Sequence, residues 1–95
     1  MLSVDLKDSV AFEIGQFVAE VQAVFVDRRD DRMLHVWTVV PDFDHQVHFS
    51  IYAREKAIID QFPDMDFDFH VVTSRGHDPR TIIDEPGIEL AYLRT

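Results

Sequence analysis

The stretch LHVWTVV at residues 34–40, closed by Pro41 and followed after a long polar-apolar segment by FDFHVV at residues 67–72, decides the fold. Both runs are rich in β-branched and aromatic residues and are bounded by Pro and Asp, so they read as strands. Between them Val47, Ile51, Ile58 and Phe62 recur at helical spacing, flanked by Phe43, Tyr52 and Ile59, and this predicts a helix from Phe43 to Phe62. Asp42 or Asp44 caps its start and Pro63 ends it. Strand, helix and strand in one sheet make a crossover, whose strands are expected to be parallel. In the first of them Leu34, Val36, Thr38 and Val40 point one way and His35, Trp37 and Val39 the other. A strand apolar on both faces is central in its sheet, covered on both sides by its own chain or on one side by a partner.

Working outward, Leu6, Val10, Ile14, Phe17, Val18 and Val21 predict a first helix from Asp5 to about Glu20, with Asp5 as cap and Asp8 in the first turn. Gly15 inside that helix costs about 1 kcal/mol relative to Ala, so its use is expected to be close packing on the sheet. Phe12 falls on the far side of the wheel. QAVFVD at 22–27 and the run from Met33 form an antiparallel hairpin across the charged turn RRDDR at 28–32. Beyond Thr73, Ser74 to Gly76 is a turn, Asp78-Pro79 opens a short helix through Ile83, and Glu85-Pro86-Gly87 breaks it. IELAYL at 88–93 is either a short strand or a terminal helical turn. The expected architecture is one α+β domain over 1–95, with a core at 5–73 and a C-terminal extension at 74–95. It is a small two-layer sandwich of order α-β-β-α-β, with a mixed three- or four-stranded sheet and both helices on one face.

Composition bounds the function. Net charge is −9, and the one basic cluster, Arg28, Arg29 and Arg32, is interrupted by Asp30 and Asp31, which argues against a nucleic-acid surface. The chain has no cysteine, hence no disulfide, thiolate metal site or Cys nucleophile. No apolar run reaches the ~18 residues of a membrane span, and MLSVDLKDS has no apolar signal core. The expectation is a soluble cytoplasmic protein with neither nucleic acid nor membrane as partner.

Three constellations carry candidate chemistry. His35 and Trp37 share a face with Asp68 and His70 if the two strands are neighbours, and imidazole with carboxylate suits a divalent metal or a proton-transfer pair. His45 and His48 stand three apart at a helix start beside Asp42 and Asp44, without an identifiable third ligand. Asp64, Asp66 and Asp68 alternate, but lack the Gly and later Glu of a helical-hand calcium loop. No Gly-rich phosphate loop, serine elbow or zinc-protease pattern occurs.

The element order over Asp5 to Thr73 resembles the minimal core of the small nucleotidyltransferases found as toxin–antitoxin partners. AVFVD stands at the place of that family's first strand, LHVWTVV at its second and FDFHVV at its third. The family ends its first strand in Gly-Ser and carries two alternating aspartates on its second to bind magnesium. Here Asp27-Arg28 replaces Gly-Ser, His35 and Trp37 occupy the acid positions, and only Asp68 matches the third carboxylate. The resemblance therefore implies such a core without its catalytic set, and no two-metal phosphoryl transfer. LHVWTVV with AIIDQFPDMDFDFHVV is also similar to the cytoplasmic domain of cation-diffusion transporters, which pairs through its sheet and binds metal. That likeness implies a metal role for His35 and His70.

The resulting expectation is a non-catalytic interaction module, as a homo-oligomer or with a partner protein, whose interaction face is His35, Trp37, Val39, Asp68 and His70. The alternative is a metal-binding or degenerate nucleotidyltransferase-like protein. No cofactor is expected in the first reading, and in the alternative His35, Asp68 and His70 hold a divalent metal.

Overall fold

A computed structural model describes residues 6–28 and 32–94. Asp5, the expected cap, and residues 29–31 of the hairpin turn lie outside the described residues. The elements in chain order are α1 (Leu6–Phe17), β1 (Ala23–Arg28), β2 (Met33–Val40), α2 (His45–Gln61), β3 (Asp66–Thr73), a short 3-10 turn (Pro79–Thr81) and β4 (Glu89–Leu93). The strands form one mixed sheet of order β3-β2-β1-β4. The two ladders of β1 are antiparallel, and β2 pairs with β3 in parallel. The run 88–93 is thus a strand, and the sheet is four-stranded. No helix among the described residues is long and apolar enough to cross a membrane.

Alternation along the strands divides the apolar residues between two faces. Val24, Val26, Leu34, Val36 and Val40 are buried with Val10 and Ile14 of α1 and Ile51 and Ile58 of α2, which makes the main core. Asp44 starts α2 by accepting from the backbone N–H groups of Gln46 (2.9 Å) and Val47 (3.1 Å). α1 stops three residues short of the expected Glu20, and its last turn has no basic residue of its own. Arg94, beyond β4, takes that place: its guanidinium donates to the carbonyls of Gly15, Val18 and Val21 at and just past the helix end, where Val18 also accepts from the Val21 backbone N–H.

The second face departs from expectation. Val39, read as part of an open interaction face, is fully buried in a smaller cluster with Ala23 and Phe25, against which Ile82, Ile83, Ile88 and Leu93 pack. The segment after β3 is therefore a partial third layer as well as an extension. Gly87, at φ 87°, provides the left-handed turn that brings the chain back into β4 beside β1. What stays open on this face lies over β2 and β3, around Trp37.

Gly15 meets β4 as its position in α1 required: a Cβ there would lie 2.7 Å from the Tyr92 ring. Ala at this site gains about 1 kcal/mol of helix propensity but overpacks the ring. Gly15→Ala is expected to lower stability by about 1–3 kcal/mol in urea unfolding, and to raise it in a Tyr92→Ala background. A gain in the parent background would show that the contact is slack.

Candidate functional site

Parallel pairing sets His35 beside Asp68 and Trp37 beside His70, with all four side chains on the sheet face away from the helices. Because β2 and β3 are hydrogen-bonded neighbours, this placement follows from the ladder rather than from a loop. One carboxylate oxygen, Asp68 Oδ2, stands 3.2 Å from His35 Nδ1 and 3.2 Å from His70 Nε2. Trp37 lies against both imidazoles, its ring centroid 5.9 Å from that of His35 and 5.5 Å from that of His70, with all three rings within about 21° of parallel. The His35 side chain is 23% exposed, that of His70 42% and that of Asp68 46%, so the group is fixed on its inner side and open on its outer side. Asp27 of β1 is the register partner of His35 across the other ladder, so three strands contribute to this row.

The other sequence candidates are not assembled. The His45 and His48 rings pack on Phe43 at 4.8 and 4.6 Å, and His48 meets Tyr52 edge-on at 6.1 Å. Among the described residues no third donor joins them, and Asp64 and Asp66 do not join Asp68; one group of three metal-ligating side chains is gathered, His35, Asp68 and His70. A cleft of about 340 Å³ between Lys7, Asp27, Arg28 and Glu89 mixes both signs of charge, with Lys7 paired to Glu89 at 2.6 Å. It converges on no single ligand chemistry.

A second feature was not visible in the sequence. β3 is an edge strand eight residues long, with β2 as its one strand neighbour. On its helix-facing side Phe67, Phe69 and Val71 border the main core yet stay half-buried, with Phe67 and Phe69 stacked at 5.3 Å. α2 turns its Arg54 flank to α1, where Arg54 meets Glu13 (3.3 Å) and the Phe17 ring (5.1 Å). The opposite flank, Tyr52, Glu55 and Ile59 at spacings of three and four, therefore lies on the β3 side. Tyr52 is 51% and Ile59 47% exposed. Glu55 is half-buried there, and its Oε2 is enclosed without a hydrogen-bond partner. Strand order, which makes β3 an edge, has no signature in a single sequence, whereas Glu55, four residues after Ile51 and three before Ile58, falls beside the apolar stripe and could have been singled out by that spacing.

Compared with protein-family models, with curated proteins and with solved structures, the chain matches none.

Burial pushes the Glu55 carboxyl up from 4.5 to about 7, because the charged form loses hydration. The folded protein thus holds this proton more tightly than the unfolded chain does. The associated stability is complete below pH 4.5 and is lost as pH rises through about 7. Relative to the parent, Glu55→Gln is expected to gain on the order of 1 kcal/mol at about pH 8, a figure discounted for the carboxyl's partial hydration, and nothing at about pH 4.5. A parent-to-variant difference in melting temperature that is equal at both pH values would contradict this origin.

Proposed function

We propose that this protein is a self-association module whose copies join edge to edge along β3, forming a two-fold dimer with one continuous sheet. The observation that carries the reading is the long edge of β3. Eight residues present a row of backbone donors and acceptors, with half-buried Phe67, Phe69 and Val71 beside them and Tyr52 and Ile59 of α2 above. Natural edges are blunted by shortness, proline, bulges or charged side chains, lysine above all. β4, the other edge, has five residues and a register shift opposite Val24 and Phe25, whereas β3 has neither proline, lysine nor arginine within it, and its acids, Asp66 and Asp68, are confined to its first three residues.

A second copy is the occupant that the charges favour. β3 begins with Asp66 and Asp68 and runs out into Arg75 and His77. Antiparallel self-pairing about the middle of the strand sets the acidic end of each copy beside the basic end of the other, whereas parallel pairing stacks the acids. Such an interface is isologous and closed, and it brings the two α2 flanks together over the new ladder.

Sedimentation of the tag-free chain at micromolar concentration is expected to give twice the mass of one chain. Tyr52→Lys/Ile59→Lys, both outside the buried core, is expected to sediment as a monomer with a nearly unchanged melt. A monomeric parent at tens of micromolar, or a double variant that still dimerises, would sink the proposal. Each copy carries −9, so the copies repel at long range. Raising salt from about 0.05 M to about 0.5 M is expected to tighten the dimer by screening, and loosening would mean that ion pairs rather than the edge hold it.

A further inference from the structure

The geometry points to His35, Asp68 and His70 as a binding site for one divalent first-row transition cation of the zinc, cobalt and nickel class. This goes beyond self-association and does not depend on it, since one chain supplies all three donors. The three potential ligand atoms lie within 4.8 Å of one another, and Asp68 Oδ2 is 3.2 Å from each imidazole nitrogen. Donors bound at about 2.0–2.2 Å in a tetrahedral shell stand about 3.4 Å apart, so two of the three separations already suit a shared ion and the two imidazole nitrogens, within 4.8 Å, close by at most about 1.4 Å.

Position and chemistry agree with that spacing. All three residues sit on β2 and β3, so their separation is held by the parallel ladder, and Trp37 packed on both rings limits their rotation. Two imidazoles with one carboxylate favour nitrogen-seeking borderline metals over magnesium or calcium, which take all-oxygen shells. The exposed outer side, with Asp68 and His70 nearly half open, gives an ion a path in and leaves its remaining positions to water. An overall charge of −9 draws cations toward the surface.

Trp37, the single tryptophan, is a built-in reporter, because a paramagnetic ion at the triad would lie next to its ring. The tag-free full chain, stripped with chelator, is titrated with cobalt(II) while tryptophan emission is followed, and zinc(II) is then added in competition. The site predicts saturable quenching at one equivalent per chain, reversed by zinc. It also predicts an affinity weaker by at least about tenfold in His70→Ala and in Asp68→Asn, with the parent's affinity kept in His45→Ala/His48→Ala. His70 is the more exposed imidazole, so its variant tests the site even if His35→Ala fails to fold. Quenching that does not saturate, that survives His70→Ala unchanged, or that disappears in the His45/His48 variant would overturn the assignment. Repeating the titration on the Tyr52→Lys/Ile59→Lys chain separates the two proposals: the same cobalt affinity is expected there, and its loss would refute a site made by one chain alone.

Discussion

The parallel pairing of β2 with β3 is the constraint on which the rest depends. Parallel strands cannot be joined by a tight turn, so the pairing requires α2 as crossover, and α2 with α1 supplies the lid of the main core. The same ladder fixes the register that sets His35 beside Asp68 and Trp37 beside His70. A slip of one residue would turn Phe67, Phe69 and Val71 onto the other face and separate the histidines from the carboxylate. Fold and candidate site thus share one set of hydrogen bonds.

That ladder also has a cost. Parallel strands are ordinarily covered on both faces, yet β3 is half-buried along nearly its whole length: α2 packs beside it on one face, and on the other the C-terminal segment is centred on Ala23, Phe25 and Val39 of β1 and β2, with only Val72 of β3 at its border. The unmet burial falls on one strand, where the apolar flank of α2 also falls. Acidic residues crowd the strand's start and leave its middle neutral, so the region with most to gain from a partner is also the one that repels a second copy least.

Much of the fold is legible in the chain because its signals are local. Period 3.6 in Val47, Ile51 and Ile58, period 2 in Leu34 to Val40, the Asp44 cap and the prolines at 41 and 63 each act within a few residues, and the structure keeps them. Gly15 likewise announced a close approach, though not that Tyr92 of β4 would make it. Features that depend on order in space were not legible. Val39 looked open because Ile82, Ile83 and Ile88 are too scattered to show a period, and only the return of the chain through Gly87 stacks them over it. The triad was readable as a parity match between two strands and Glu55 by its spacing from Ile51 and Ile58, whereas the edge needed the strand order.

The most direct measurement on the edge is residue-resolved amide exchange across a concentration series. In a β3-to-β3 dimer, alternate amides of Asp66–Thr73, those pointing away from β2, gain protection as concentration rises, while the amides of β4 do not change. If those β3 amides exchange at the same fast rate at every concentration, or if the protection appears on β4 instead, the account is wrong.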